Sequence, residues 1–218
     1  MQPSLARGIP KLEGASTLLV HEQFEIQGLF YRNPDTEHPA LADFLGVTHV
    51  SATNDVTEWA IRTNALPLIT AGQKPIVATG TNALRLLAAD DFDPRTMVYV
   101  AEPVSAEGPS SARIRNVSFQ THRISFTVET DRPCIATIAQ TSYPAWRAFV
   151  GGREVKILRA NHAFQAVEVP SGTHEVQLVY KDAKFRMGSL ISLGTLCFCG
   201  IALVATRPDR RAVPPTAA

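Results

Sequence analysis

The chain has 218 residues, enough for one large domain or two small ones with a real interior. A formal charge of +1 creates no field that would recruit nucleic acid or an acidic partner. Three cysteines, Cys134, Cys197 and Cys199, do not make a disulfide framework.

The N-terminal stretch MQPSLARGIPKLEG lacks an apolar core and does not read as a secretory signal. His21-Glu22 begins like the zinc-protease motif H-E-x-x-H, but Glu25 stands where the second His is needed, so the motif fails. The other histidines, His38, His49, His122, His162 and His174, are scattered and expected at the surface or in hydrogen bonds. Residues 39–45 can form one or two helical turns, and 47–51, 58–62 and 75–78 are short strand candidates. Thr81 is the expected N-cap of a helix through Leu87, its hydroxyl accepting a free amide of the first turn. Asp90, Asp91 and Asp93 form the densest acidic cluster. Acid–base or hard-metal chemistry needs such carboxylates to converge from fixed elements. These follow a short helix and precede Pro94, so a solvated loop is expected. Residues 97–101 read as a strand, and 102–111, EPVSAEGPSS, as a linker.

The clearest pattern lies between 112 and 180. Residues 123–129 alternate polar and apolar without a break, the mark of a half-buried strand. A turn at 130–133 leads to a strand over 134–140. Strands over 148–150 and 153–158 flank Gly151-Gly152, a two-residue hairpin signal. Strands at 164–169 and 175–180 follow, the latter with Val176, Leu178 and Tyr180 on one face. Short strands punctuated by turns predict an antiparallel β-sandwich.

Residues 187–206, MGSLISLGTLCFCGIALVAT, are twenty positions without a charge. A helix of that length is roughly 30 Å long and matches the hydrocarbon core of a bilayer. Gly188, Gly194 and Gly200 are tolerated in such spans, and Cys197 and Cys199 are expected to act as small hydrophobes, with no further ligand nearby for a metal. Lys181, Lys184 and Arg186 precede the span, and Arg207, Arg210 and Arg211 follow it. With three basic residues on each side, charge does not orient the helix. The tail after 207 has no core residues and is expected to be disordered. The predicted fold is mainly β: a mixed α/β region (1–107), an antiparallel β-sandwich-like domain (108–186), one transmembrane helix (187–206) and a tail (207–218).

Neither a G-x-S-x-G nor a phosphate loop occurs, and no catalytic residue, metal site or cofactor is expected. Tyr143 and Trp146 are the candidate ligand-binding side chains. Exposed, they could stack on a sugar ring; buried, they would fill the core beside Pro144 or sit at the lipid interface. Lys181, Lys184 and Arg186 are expected at headgroup level.

Tyr143-Pro144-Ala145-Trp146, the Gly151-Gly152 turn, Ala160-Asn161 with Phe164, and residues 169–174 (VPSGTH) form an ordered series. Tyr180 and Phe185-Arg186-Met187-Gly188, running into Ile191-Ser192-Leu193, complete it. This series resembles the C-terminal end of the YfhO-like family of bacterial multi-pass membrane proteins. Upstream, residues 45–50 (LGVTHV) and Ala65-Leu66-Pro67 are similar to further elements of that family. The chain departs from the family pattern at Ala145 for Gly, Gly151 for Asp and Leu68 for Arg. The resemblance implies a relative of GT-C-type glycosyltransferases, which use a lipid-linked sugar donor and an acidic residue in an early extracytoplasmic loop. Nothing here corresponds to that multi-span region, so the expected role is a non-catalytic accessory in cell-envelope glycan or glycolipid assembly. Its partners would be the lipid bilayer and a multi-span glycosyltransferase-like protein, with no nucleic acid, and its β domain would be extracytoplasmic. A stand-alone membrane-tethered module for protein interaction or carbohydrate binding is the alternative.

Overall fold

The computed structural model describes residues 20–31, 38–51 and 58–205. The chain divides into two units, Met1–Tyr180 and Lys181–Ala218. The first unit begins with α1 (His21–Tyr31), α2 (Pro39–Phe44), β1 (His49–Ser51), β2 (Trp59–Ile61), β3 (Ile69–Ala71) and β4 (Lys74–Val77). It continues with α3 (Gly80–Leu87), β5 (Met97–Val100), β6 (Ala112–Gln120), β7 (Arg123–Thr130) and β8 (Cys134–Thr141). β9 (Trp146–Val150), β10 (Arg153–Val155), β11 (Leu158–Ala160), β12 (Phe164–Val169) and β13 (Gly172–Tyr180) complete it. The second unit holds α4 (Ala183–Ala205).

β1 and β2 form a two-stranded ribbon apart from two larger sheets, one ordered β10-β9-β13-β7-β6 and the other β3-β8-β12-β11-β5-β4. The expected period of two along β7 is there: Ile124, Phe126, Val128 and Thr130 are buried. Their partners in register include Leu178 and Val176 of β13. This apolar face packs on Ala136 and Ile138 of β8 and Val167 and Val169 of β12, so the two sheets enclose one core. Gly151 and Gly152 both take positive φ (55° and 80°), as a tight hairpin between β9 and β10 demands. Pairing is antiparallel throughout the sandwich except between β4 and β5, which run parallel and are joined through α3.

The six-stranded sheet takes β3, β4 and β5 from before residue 107 and β8, β11 and β12 from after it. Both sides of that boundary therefore share one hydrogen-bonded sheet. Residues 102–111, expected as a linker, are instead packed. Ala106 is buried with Ile135, Leu158 and Ala166, with Val104 alongside. The Ser105 amide donates to Glu168 Oε1 (2.5 Å), and the Ser110 amide donates to the Gly72 carbonyl (3.0 Å). Proline, glycine and serine break regular structure there without breaking contact.

Three short helices complete the first unit. Ile26 of α1, Leu41 and Phe44 of α2 and Ala83 and Leu87 of α3 form a second cluster with Tyr99 and Phe164. The N-cap of α3 is Thr79 rather than Thr81, and its hydroxyl makes no capping bond. The helix starts earlier because Gly80 turns the chain at φ +52°, while the Ala83–Leu87 spacing sets the buried face. No element is expected over 21–31, and α1 has Gly28 in its middle. Tertiary contacts hold it: Glu22 pairs with Arg159, Glu25 Oε2 lies 2.7 Å from His162 Nε2, and Thr141 Oγ1 donates to Gln23 Oε1 (3.2 Å).

Asn161 and His162 adopt left-handed φ (42° and 70°) between β11 and β12. The Asn161 amide donates to the Tyr99 carbonyl (2.7 Å), and its Oδ1 accepts from the Tyr99 amide (2.9 Å). One side chain thus completes a backbone pair for β5, and Asn also tolerates that φ better than most residues. Asn161→Gly should keep the turn and lose the bond, costing about 1–3 kcal/mol. Asn161→Ala should lose both and melt lower still, which thermal unfolding of the two variants beside the wild type would measure.

Burial alone would raise the Glu22 carboxyl. Hydrogen bonding by its own backbone amide and by Arg159 outweighs that and holds it below its ordinary 4.5. A depressed carboxylate contributes its stability fully above the unfolded value and loses it as pH falls through the folded one. Arg159→Ala should therefore cost roughly 0.5–1 kcal/mol at neutral pH, this being a partly exposed pair. The gap should close as pH drops below about 4.5; melts across pH check this, and a constant gap would mean Arg159 acts through packing alone.

Candidate functional site

Register brings Tyr180 of β13 opposite Trp146 of β9. A turn closed by the Trp146 amide donating to the Tyr143 carbonyl (3.1 Å) brings Tyr143 to the same place. Tyr143 stacks on Tyr180 with ring centroids 6.1 Å apart and planes 20° apart. Trp146 meets Tyr180 edge-on at 5.5 Å and 78°. Tyr143 is 46% exposed and Tyr180 36%, whereas Trp146 is half-buried and packs against the sandwich core. Of the two expected ligand-binding residues, Tyr143 offers a ring face and Trp146 commits much of its ring to the protein. Tyr180 is the member not foreseen as a site residue, although its place on the Val176–Leu178 face was legible. Two residues separate it from α4.

Helix α4 begins before the expected 187 because Asp182 Oδ1 accepts the Phe185 amide (2.9 Å), satisfying one free donor of the first turn. Lys184 and Arg186 consequently lie in the helix, and Lys181 just before it. Residues Ala183–Leu203 are long and apolar enough to cross a membrane, and none of that window is buried within the protein. Phe185, Leu190, Leu196, Phe198 and Ile201 are each 70–72% exposed. Ser189 and Thr195 donate their hydroxyls to the carbonyls of Phe185 and Ile191 (2.9 and 3.0 Å), so neither presents an unmade bond to lipid. Thr206 and the expected tail with Arg207, Arg210 and Arg211 lie outside the described residues.

Asp90, Asp91 and Asp93 do not converge on a pocket. The first two are exposed, and Asp93 is tied locally, accepting the Arg95 amide (2.9 Å) and the Thr96 hydroxyl (3.0 Å). Among the described residues no group of three His, Cys, Asp or Glu is placed to hold a metal. Cys134 is buried, and burial pushes its thiol up; Cys197 and Cys199 are exposed along α4. A charged cluster that the sequence does not signal lies at Asp43, which accepts from Arg62 (2.5 Å) and Arg95 (3.3 Å). Arg62 also donates to the Pro39 carbonyl and Arg95 to that of Asn64, so the cluster clips two loops, one after β2 and one before β5, to α2.

A cleft of about 620 Å³ opens at the other end of the sandwich, where β13 begins. Val150, Val155, Val169 and Pro170 supply an aliphatic wall, and Arg153, Glu168, His174 and the Cys134 thiol are its charged or titratable members. Turns between distant strands assemble it, and no local pattern announces it.

The geometry separates the aromatic residues by role. Tyr143→Ala removes an exposed ring and should change stability by no more than about 0.5 kcal/mol. Trp146→Ala opens a void beside the core and should cost about 2–3 kcal/mol, below the full cost of a wholly buried ring. Thermal unfolding in detergent of the full chain measures both.

Residues 108–192 match the family described as bacterial membrane protein YfhO. The match includes β6 through β13, the three aromatic residues and α4 as far as residue 192. No curated protein and no solved structure matches the chain. Over that matched region, which runs from the strands of the five-stranded sheet into the start of the apolar helix, the chain is similar to the family of the bacterial membrane protein YfhO.

Proposed function

We propose that this chain is a membrane-anchored accessory domain in cell-envelope glycan or glycolipid assembly, with its β-sandwich outside the cytoplasm and no transfer reaction of its own. The observation that carries this reading is the continuity of the family match from β6 into α4, which ties the sandwich to a membrane helix. The extracytoplasmic placement and the glycan role follow the resemblance to multi-pass glycosyltransferase-like proteins. The exposed, stacked faces of Tyr143 and Tyr180 support a saccharide partner, because a flat ring matches the C–H face of a pyranose. Trp146 would act beneath them as a support. Lys181, Lys184 and Arg186 would lie at headgroup level and attract anionic lipid, by about 1 kcal/mol each near the surface. A multi-span membrane protein of glycosyltransferase type is the proposed partner.

A second reading is favoured by one feature. The β1–β2 ribbon exposes Trp59 (63%) and Ile61 (74%), two residues apart on one strand, and such a ribbon is marginal alone in water. That surface suits a protein-interaction module tethered to the membrane.

Protease added to intact spheroplasts should digest the sandwich while leaving α4 protected. A sandwich shielded until the cells are lysed would overturn the outward placement. Co-purification in mild detergent should bring a multi-span membrane protein with the full chain. Recovery of soluble proteins alone would favour the interaction module.

A further inference from the structure

We infer that the cleft at the start of β13 binds a small amphiphile carrying one anionic head, an alkyl phosphate or carboxylate. At about 620 Å³ it falls within the usual range of small-molecule sites, roughly 300–1,000 Å³. Its wall is aliphatic: Val150 ends β9, Val155 ends β10, and Val169 ends β12 with Pro170 just after it. No Phe, Tyr or Trp is among its lining residues, so it lacks the broad stacking face a saccharide would use and suits an alkyl body instead.

The polar groups define the head. Arg153 is exposed at the cleft and has no ion pair among the described residues, since its neighbour Glu154 pairs with Arg147 (3.7 Å). Glu168 lines the cleft too, with one carboxylate oxygen taken by the Ser105 amide at 2.5 Å. The Nε2 of His174 lies 3.1 Å from the Ser171 carbonyl. A carbonyl only accepts, so that nitrogen carries the proton, and Nδ1 of the neutral ring is left as an acceptor. Gly151 keeps the space before it open, because a Cβ there would stand 3.5 Å from Nδ1. Arg153 therefore supplies the charge that an anion needs, and His174 Nδ1 can accept a hydrogen bond from the hydroxyl of a singly protonated phosphate.

Six residue steps along β13 separate His174 from Tyr180, roughly 20 Å at strand spacing. The cleft is thus distinct from the Tyr143–Tyr180 surface, and its occupancy does not depend on the proposed glycan role. The same head chemistry could come from a membrane lipid or from a free short-chain amphiphile.

The test uses the full chain in phosphatidylcholine nanodiscs, titrated calorimetrically with hexyl phosphate, hexanol and inorganic phosphate. Saturable one-to-one binding of hexyl phosphate is expected, with the other two at least ten-fold weaker. Arg153→Ala should weaken binding at least ten-fold and Arg153→Lys should restore most of it. Val155→Trp, which fills the cleft from an edge strand, should abolish binding while its melting curve stays cooperative. Absence of saturable binding would overturn the inference. So would equal binding by wild type, Arg153→Ala and Val155→Trp, which would mean partition into the bilayer alone. Repeating the titration in discs containing phosphatidic acid assigns the source: with binding established, a weaker apparent affinity there supports a membrane lipid occupying the cleft, and an unchanged one supports a free amphiphile.

Discussion

The first unit depends on one packed layer, the apolar side chains shut between its two sheets. Ile124, Phe126 and Val128 alternate along β7 and meet Ala136, Ile138, Val167 and Val169 across the gap. A shift of one residue in the β7–β13 register would turn this whole set toward water, so the burial itself pins the register. Both candidate sites of the unit follow from that alignment. It brings Tyr180 beside Trp146 at one end and opens the aliphatic cleft at the other.

The second unit answers a different constraint. Helix α4 has its large apolar side chains uncovered, a condition stable only where the solvent is itself apolar. Its backbone bonds are closed within the helix, and the hydroxyls of Ser189 and Thr195 turn back on carbonyls four residues earlier. The physical demand of the bilayer and the composition of 187–206 therefore agree. Asp182 sets where the helix begins, placing two cations in its first turns, where the helix dipole alone would disfavour them.

The candidate site was only half legible. Tyr143 and Trp146 stand out as aromatic residues beside a proline, but their sequence positions do not say which one is exposed. The turn at 143–146 gives Tyr143 to the surface, while Trp146, as the first residue of β9, faces the core cluster. Tyr180 joins them from thirty-four residues away by register alone. The Asp43–Arg62–Arg95 cluster and the cleft gave no local signal, because their members are separated by turns of unrelated composition. Asp90, Asp91 and Asp93 gave a strong local signal and no convergent geometry.

By itself, the sequence determined the elements whose periodicity is a local property. The alternation of 123–129, the glycine pair at 151–152 and the uncharged run of 187–206 each state their structure within a few residues. Tertiary structure decided the rest. α1 lacks a strong intrinsic signal and stands because Arg159 and His162 receive it. Residues 102–111 resemble a linker, yet they bury Ala106 against the sheet, since a chain without regular structure can still fill a gap. The sheet that joins residues on both sides of 107 is likewise a matter of long-range hydrogen bonds, whose partners no local pattern can name. The apolar helix was readable because a bilayer asks only for length and composition. The sandwich ends, where the candidate sites lie, were not, because they exist only once distant strands have met.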